Sequence, residues 1–342
     1  MKRPYKTDVA VLMLFFNRPE TFAKAFAAVR EARPSRLFLY QDGPRKGNEA
    51  DWLGVEACRQ IASDENIDWQ CEVKRNYQTE NAGCDPSGFL SQQWAFSMAD
   101  KVVVVEDDVV VAPTFIAFCK EMLDRYEHDP RVWLISGFNT DEVTPHVPTD
   151  YFFTSAFSIW GWASWRRVAN LWEGDYAFMR DEFARRSLAE LVRDRGYRRD
   201  FMAMCGDHAA SGKPYFESVF WASMLMNNGL AIMPTRNMVG NVGATADSTH
   251  YSALTTMPHG MRRIFTMKRY DVTFPLKHPR YVMEYAPYRH HLYRTMGWNH
   301  PWVKVARSVE ELGLNLRHGN MKAIGRALVR RVRKWAGKDR HA

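Results

Sequence analysis

The sequence predicts an α/β fold in which an open, mostly parallel sheet is flanked by helices and followed by an irregular second half and a basic helical tail. Three observations carry this expectation. Continuous apolar runs at Val9–Phe16 and Val102–Val105 suit strands covered on both faces. Stretches with helical spacing of apolar residues separate such runs, the order that builds parallel sheets through right-handed crossovers. Each run also breaks off in polar residues, as strand ends do where they open onto a crevice.

In chain order, Val9–Phe16 is the first strand. Pro19 suits the first position of a helix, and Phe22, Ala25, Phe26 and Val29 recur at helical spacing. Leu37–Tyr40 reads as the second strand, closed by the turn Gln41-Asp42-Gly43-Pro44. A polar helix from about Asn48 to Ala62 follows, then a strand from Trp69 to Arg75. Gln92–Ala99 predicts a helix, Val102–Val105 a fourth strand, Pro113–Arg125 a helix and Val132–Ser136 a fifth strand. Beyond residue 140 the pattern is aromatic-rich and irregular, with helices expected near Asp181–Asp194 and Glu217–Asn227. Asn237–His250 is Gly-rich and polar, which suggests a mobile loop.

Charge and cysteine usage narrow the function classes. The 342 residues carry a formal net charge of +8, yet from Gly313 onward there are nine basic residues and one acid. The excess therefore sits in the tail, which argues against a uniformly basic nucleic-acid-binding domain. Five cysteines without a Cys-x-x-Cys pair support neither a disulfide framework nor a structural zinc site. The eight apolar residues of Val9–Phe16 fall short of the roughly 20 needed to span a bilayer, and no cleavage site follows them. A cytoplasmic protein is expected.

The most informative feature is Glu106-Asp107-Asp108, directly after a run of valines. Unpaired carboxylates are not tolerated inside a sheet, so the cluster must lie at its edge. Mg²⁺ or Mn²⁺ commonly takes one or two carboxylates and completes its shell with phosphates and water. The alternative is structural: Asp107 or Asp108 can cap a helix opening near Pro113. No G-x-G-x-x-G or Walker A pattern is present, which disfavours a dinucleotide dehydrogenase or P-loop NTPase.

At these residues the sequence resembles a family. Val103–Phe115 is similar to the metal-binding segment of N-acetylglucosaminyltransferase I and related bacterial glycosyltransferases of the GT-A fold. The similarity extends to Val9–Arg18, Leu39–Gly43, Asp129–Asn139, Trp160-Gly161-Trp162, Asn241-Val242-Gly243 and Asp247–His250. The resemblance implies a Rossmann-like mixed sheet and inverting sugar transfer from a UDP-sugar with Mn²⁺ or Mg²⁺. By it, Asp108 is the metal ligand, Asp107 faces the ribose and Glu106 holds a donor-sugar hydroxyl. Asp42 accepts the uracil N3–H, and Arg18 contacts the nucleotide or its phosphates. Ser91 stands where eukaryotic relatives place a nucleotide-contacting His. On their own, Asp42 reads equally as a turn residue and Arg18 as a surface residue at a helix entrance.

Inverting transfer needs a base for the acceptor hydroxyl. The family's Asp corresponds most plausibly to Glu217, with Asp207 in reserve; a first-turn helix Glu is the bland alternative. His250 is a candidate second metal ligand, and Trp160 and Trp162 offer faces to a sugar or else pack in the core. Residues 1–300 form the expected transferase domain, divided into a nucleotide half (1–140) and an acceptor half (141–300). Residues 301–342 form the tail, whose 321–335 stretch has cationic amphipathic spacing suited to an anionic membrane surface or to packing on the domain. The expected partners are a nucleotide-sugar and a glycan or lipid-linked acceptor, with no nucleic acid. The implied process is bacterial surface polysaccharide assembly, on the inner face of the cytoplasmic membrane. A sugar-phosphate nucleotidyltransferase should carry a Gly-rich basic loop after the first strand, and Phe16–Glu20 is not one. A non-catalytic glycan- or membrane-binding protein is the remaining alternative.

Overall fold

The computed structural model describes residues 2–243, 254–321, 324, 325 and 329. Strand β1 (Thr7–Phe15), helix α1 (Pro19–Ala32), β2 (Pro34–Gln41), α2 (Glu49–Ile61), β3 (Glu72–Tyr77), α3 (Cys84–Met98) and β4 (Lys101–Glu106) come first. A short β5 (Val109–Val111), α4 (Phe115–Arg125), β6 (Val132–Ser136), β7 (Tyr151–Thr154) and β8 (Trp162–Trp165) follow. Then come α5 (Arg166–Ala169), α6 (Ala177–Arg180), α7 (Glu182–Leu191), α8 (Arg195–Ser211), α9 (Phe216–Met226), β9 (Leu230–Pro234) and β10 (Val239–Asn241). Helices α10 (His259–Thr266), α11 (Ala286–Met296) and α12 (Pro301–Arg317) close the described chain.

Eight strands form one mixed sheet in the order β3-β2-β1-β4-β8-β6-β9-β7. The first four run parallel, because each is reached by a helical crossover. β8 then enters antiparallel between β4 and β6. The expected α/β class with a mixed sheet and C-terminal helices is therefore present, and residues 1–140 and 141–300 share that sheet. Its centre is β4, whose four valines are buried against both faces. Among the described residues no helix is long and apolar enough to cross a membrane.

Departures from the sequence expectation have local causes. α3 begins at Cys84, not Gln92, because its buried face includes Ser87, Ser91 and Gln92, which break the apolar spacing. β3 begins at Glu72; Trp69 lies outside it, fully buried, with its indole N–H donating to the Pro34 carbonyl at 2.8 Å. α8 was not foreseen, since it buries only Phe201 and Cys205 beneath a polar exterior. The expected loop at 237–250 begins as β10, which pairs antiparallel with β5 (Gly240 opposite Val110); its residues from 244 on lie outside the described chain, as does most of 321–335. α12 exposes Trp302 (80%), Val305, Val309, Leu312 and Leu316 while burying Asn315.

Candidate active site

β1 adjoins β2 on one side and β4 on the other, all three parallel; the chain leaves β1 through α1 toward β2 and comes back from β3 through α3 to β4, so the direction of winding reverses between β1 and β4. In such sheets ligands bind beyond the C-terminal ends at that switch point. Leu14 of β1 is in register with Glu106 of β4, so Arg18 and the acidic turn emerge side by side. Asp107 and Asp108 form the turn between β4 and β5. The helix-capping alternative is excluded, since Thr114 occupies the N-cap of α4.

One guanidinium nitrogen of Arg18, Nη2, donates to Asp107 Oδ1 and, at 3.0 Å, to Asp108 Oδ2. The Phe16 N–H donates to the other Asp107 oxygen at 3.4 Å. Asp108 is held from its far side, where Asn241 Nδ2 donates to Oδ1 at 3.2 Å and the Val242 N–H donates to its carbonyl at 2.8 Å. A side chain at Gly243 would force Asp108 out of place, because a Cβ would stand 2.2 Å from its Oδ2.

The electrostatics follow from enclosure and like charge. Burial, then Asp108, Asp107 and Glu217, push Glu106 up to about 8. Burial raises Asp107 to about 6, with Arg18 pulling against it. Burial alone would weaken the Arg18 charge, but the two carboxylates overcome it and hold the guanidinium above its usual value. Between its ordinary 4.5 and about 8, Glu106 keeps a proton in the folded state that the unfolded chain releases. Its contribution to stability therefore falls as pH rises through that window. Melting temperatures measured across it should decline more steeply in wild type than in Glu106→Gln. Identical slopes would mean that Glu106 is ionised throughout.

Asp42, at the end of β2, is 4% exposed, and both of its oxygens are filled from within the chain. The N–H groups of Gly43 and Ala82 donate to Oδ1, each at 2.9 Å. Asn81 Nδ2 and the Gly83 N–H donate to Oδ2 at 2.9 and 3.1 Å. A carboxylate accepts about four hydrogen bonds, so the expected uracil contact finds no acceptor in this arrangement. Asp42 clamps the 81–83 loop that leads into α3. Asp42→Ala should lower unfolding stability by about 3 kcal/mol, the scale for losing several charged, buried hydrogen bonds. An unchanged denaturation midpoint with a weakened donor KM would restore the nucleotide role.

Other predicted residues fall in varied places. Glu217, exposed in the first turn of α9, lies close enough for its charge to act on Glu106. Asp207 is exposed on α8, where its charge acts on His208. Trp162 does not face the crevice: it is fully buried in β8 and stacked on Phe216, with ring centres 5.2 Å apart and planes at 14°. His250 lies outside the described residues. Cys84 is a further neighbour: it is exposed at the start of α3, and the protein crowded around it, then Glu106, Asp85 and Asp107, hold its thiol above the ordinary value. The only sequence signal for it is its position after Gly83, at the start of a helix.

The donor set suits a hard divalent cation, since Asp107 and Asp108 direct oxygens at one shared cationic position, where Arg18 now lies. Among the described residues no group of three or more His, Cys, Asp or Glu side chains is arranged to hold a metal. The rest of such an ion's shell would fall to diphosphate oxygens and water.

A mixed α/β sheet with an acid pair and an arginine at its switch point is thus the class of protein in hand. No protein-family model and no curated protein matches the chain. Among solved structures, it is similar to the glycosyltransferase GlyE of Streptococcus pneumoniae TIGR4, at 12% identity and a TM-score of 0.29, over 56% of this chain and 40% of that one. Mouse xyloside xylosyltransferase 1 in its apo form matches at 12% identity and a TM-score of 0.35, over 65% of this chain and 81% of that one. The inositol-1-phosphate CTP transferase of T. maritima matches at 9% identity and a TM-score of 0.39, over 79% of this chain and all of that one. These values are low, and the functional assignment rests on the site's own geometry.

Proposed function

We propose that the protein is a metal-dependent inverting glycosyltransferase of the GT-A type. It would move GlcNAc or a similar sugar from a UDP-sugar to a hydroxyl of a glycan or lipid-linked acceptor in bacterial surface polysaccharide assembly. The observation that supports this most is the convergence of Asp107, Asp108 and Arg18 at the ends of β1 and β4, with Glu217 near Glu106. A divalent cation held by Asp107 and Asp108 would offset the charge growing on the departing diphosphate. Arg18, once freed from the carboxylates, would pair with phosphate oxygens. Glu106, at the end of β4 beside that cation, would hold a donor-sugar hydroxyl. Glu217 would take the acceptor's proton as the new bond forms opposite the leaving group.

Incubation with a panel of nucleotide-sugars, with Mn²⁺ or with chelator, tests the reading through release of nucleoside diphosphate. Absence of metal-dependent turnover or binding with every donor sinks it.

Attachment to an anionic membrane surface belongs to the same reading. The exposed stripe of α12 is spaced by threes and fours, and the chain from Gly313 on holds nine bases against one acid. In flotation with phosphatidylglycerol vesicles, the double variant Trp302→Glu/Val309→Glu should bind about tenfold more weakly than wild type. Equal partitioning of the two would remove the membrane from the proposal.

A further inference from the structure

Glu217 borders a cavity of about 280 Å³, near the lower end for small-molecule sites. Its walls include Trp160, Trp221, Ile264, Leu292, Met296 and Trp298, drawn from the β7–β8 segment, α9, α10, α11 and the chain after α11. The rings support one another. Phe157 stacks on Trp221 with centres 4.8 Å apart, Trp160 lies 4.8 Å from Phe138, and Tyr197 lies 4.4 Å from Trp298.

Several of the polar atoms around this space are already engaged. The Thr140 hydroxyl donates to the Tyr288 hydroxyl at 3.0 Å, and the Ser155 hydroxyl donates to Glu284. The Trp298 indole N–H donates to Asp200 at 3.1 Å, and the Ser158 hydroxyl accepts from the Trp160 N–H at 3.4 Å. A pyranose ring placed here would bury several hydroxyls against aliphatic and aromatic surface, and each hydroxyl left without a partner carries a desolvation cost. An apolar group gives up no hydrogen bonds on entry and gains by leaving water.

We propose that this cavity receives an apolar aglycone of the acceptor, placing the acceptor's reacting hydroxyl at the rim beside Glu217. The acceptor is then amphipathic: a hydroxyl-bearing part faces the acid cluster, and an alkyl or aryl part fills the space between α9, α10 and α11. The inference rests on the transferase reading for the role of Glu217, but the cavity's preference can be measured without turnover.

Three of the twelve tryptophans, Trp160, Trp221 and Trp298, line the cavity, so intrinsic fluorescence is read in the Trp302→Glu/Val309→Glu background, where the exposed α12 stripe no longer takes up amphiphile. Octyl β-glucoside below its micellar concentration, and phenyl β-glucoside, are titrated into the full chain against glucose. Saturable change with the octyl or the phenyl compound and none with glucose is expected, and the two arms tell a linear chain from an aryl group. Ile264→Glu, which places a charge in the wall, should weaken binding of the octyl compound at least about tenfold. Should that variant fail to fold, the same comparison is made with Met261→Gln, a second wall position on α10. Equal affinity for glucose and octyl glucoside, or no saturable signal with either glycoside, overturns the inference whether or not nucleotide release is found. Octyl glucoside binding with neither turnover nor binding of any donor leaves the cavity's apolar preference in place and removes the transferase reading.

Discussion

Replacement of Asp108 by alanine should cut Mn²⁺-stimulated release of nucleoside diphosphate by about a hundred- to a thousandfold, the scale for losing one preorganised electrostatic contact in a transition state. The basis is geometric. Asp108 Oδ2 and Asp107 Oδ1 share one cationic position, and Asp107 alone offers a cation half of that charge. Alanine also releases Asn241, whose Nδ2 donates to Asp108 Oδ1 at 3.2 Å, so β10 would lose an anchor. Asp108→Asn separates the two effects, because its amide oxygen still accepts from Asn241 while the charge is gone. Both variants should lose Mn²⁺ affinity, read by electron paramagnetic resonance of the free ion, and only alanine should also lower the melting temperature. A wild-type rate in either variant would remove Asp108 from the metal assignment.

Glu217→Gln is expected to lower kcat by about a hundred- to ten-thousandfold, the usual range for deleting a general base. Donor KM should change little, because the role proposed for Glu217 is toward the acceptor hydroxyl. Glu217→Asp should recover part of the rate, since a carboxylate remains on a shorter stem. Asp207→Asn serves as the comparison: Asp207 is exposed on α8, and its loss should leave kcat unaltered. The opposite pattern, with a rate that survives in Glu217→Gln and collapses in Asp207→Asn, would exchange their roles.

How far the sequence discloses this arrangement depends on whether burial is written as apolar spacing. Val102–Val105 lies in a strand covered on both faces, and an unbroken apolar run is the pattern such a strand imposes. The juxtaposition of Arg18 with Asp107 and Asp108 follows almost directly, because β1 and β4 are parallel neighbours whose ends must emerge together. Trp162–Trp165 is also buried throughout, but it includes Ser164, whose hydroxyl is satisfied by the Trp133 carbonyl at 2.6 Å. That bond comes from the neighbouring strand β6, 31 residues away along the chain, and leaves no local mark. Of the two readings open for Trp162, a face for a sugar or a ring in the core, the second is the one found. Asp42 is the same lesson on the polar side, since its donors at 81–83 are supplied by a loop beyond the next strand. The cavity beside Glu217 is assembled from segments after residue 137, none of which reveals its neighbours in the sequence.

Arg18 has a consequence for the order of events. The acidic pair carries its own counter-ion, so a divalent cation, if the proposed site takes one, would arrive by exchange with a positive charge already seated there. Its apparent affinity is lowered by whatever it costs to disengage the guanidinium. That same displacement leaves a cation in search of an anion at the moment a diphosphate approaches. By linkage, whatever draws Arg18 away favours ion entry, and ion entry favours whatever Arg18 then grasps. Metal and nucleotide should accordingly bind with positive cooperativity, each weakly alone and tightly together, and Arg18 is the residue through which one occupancy is felt by the other.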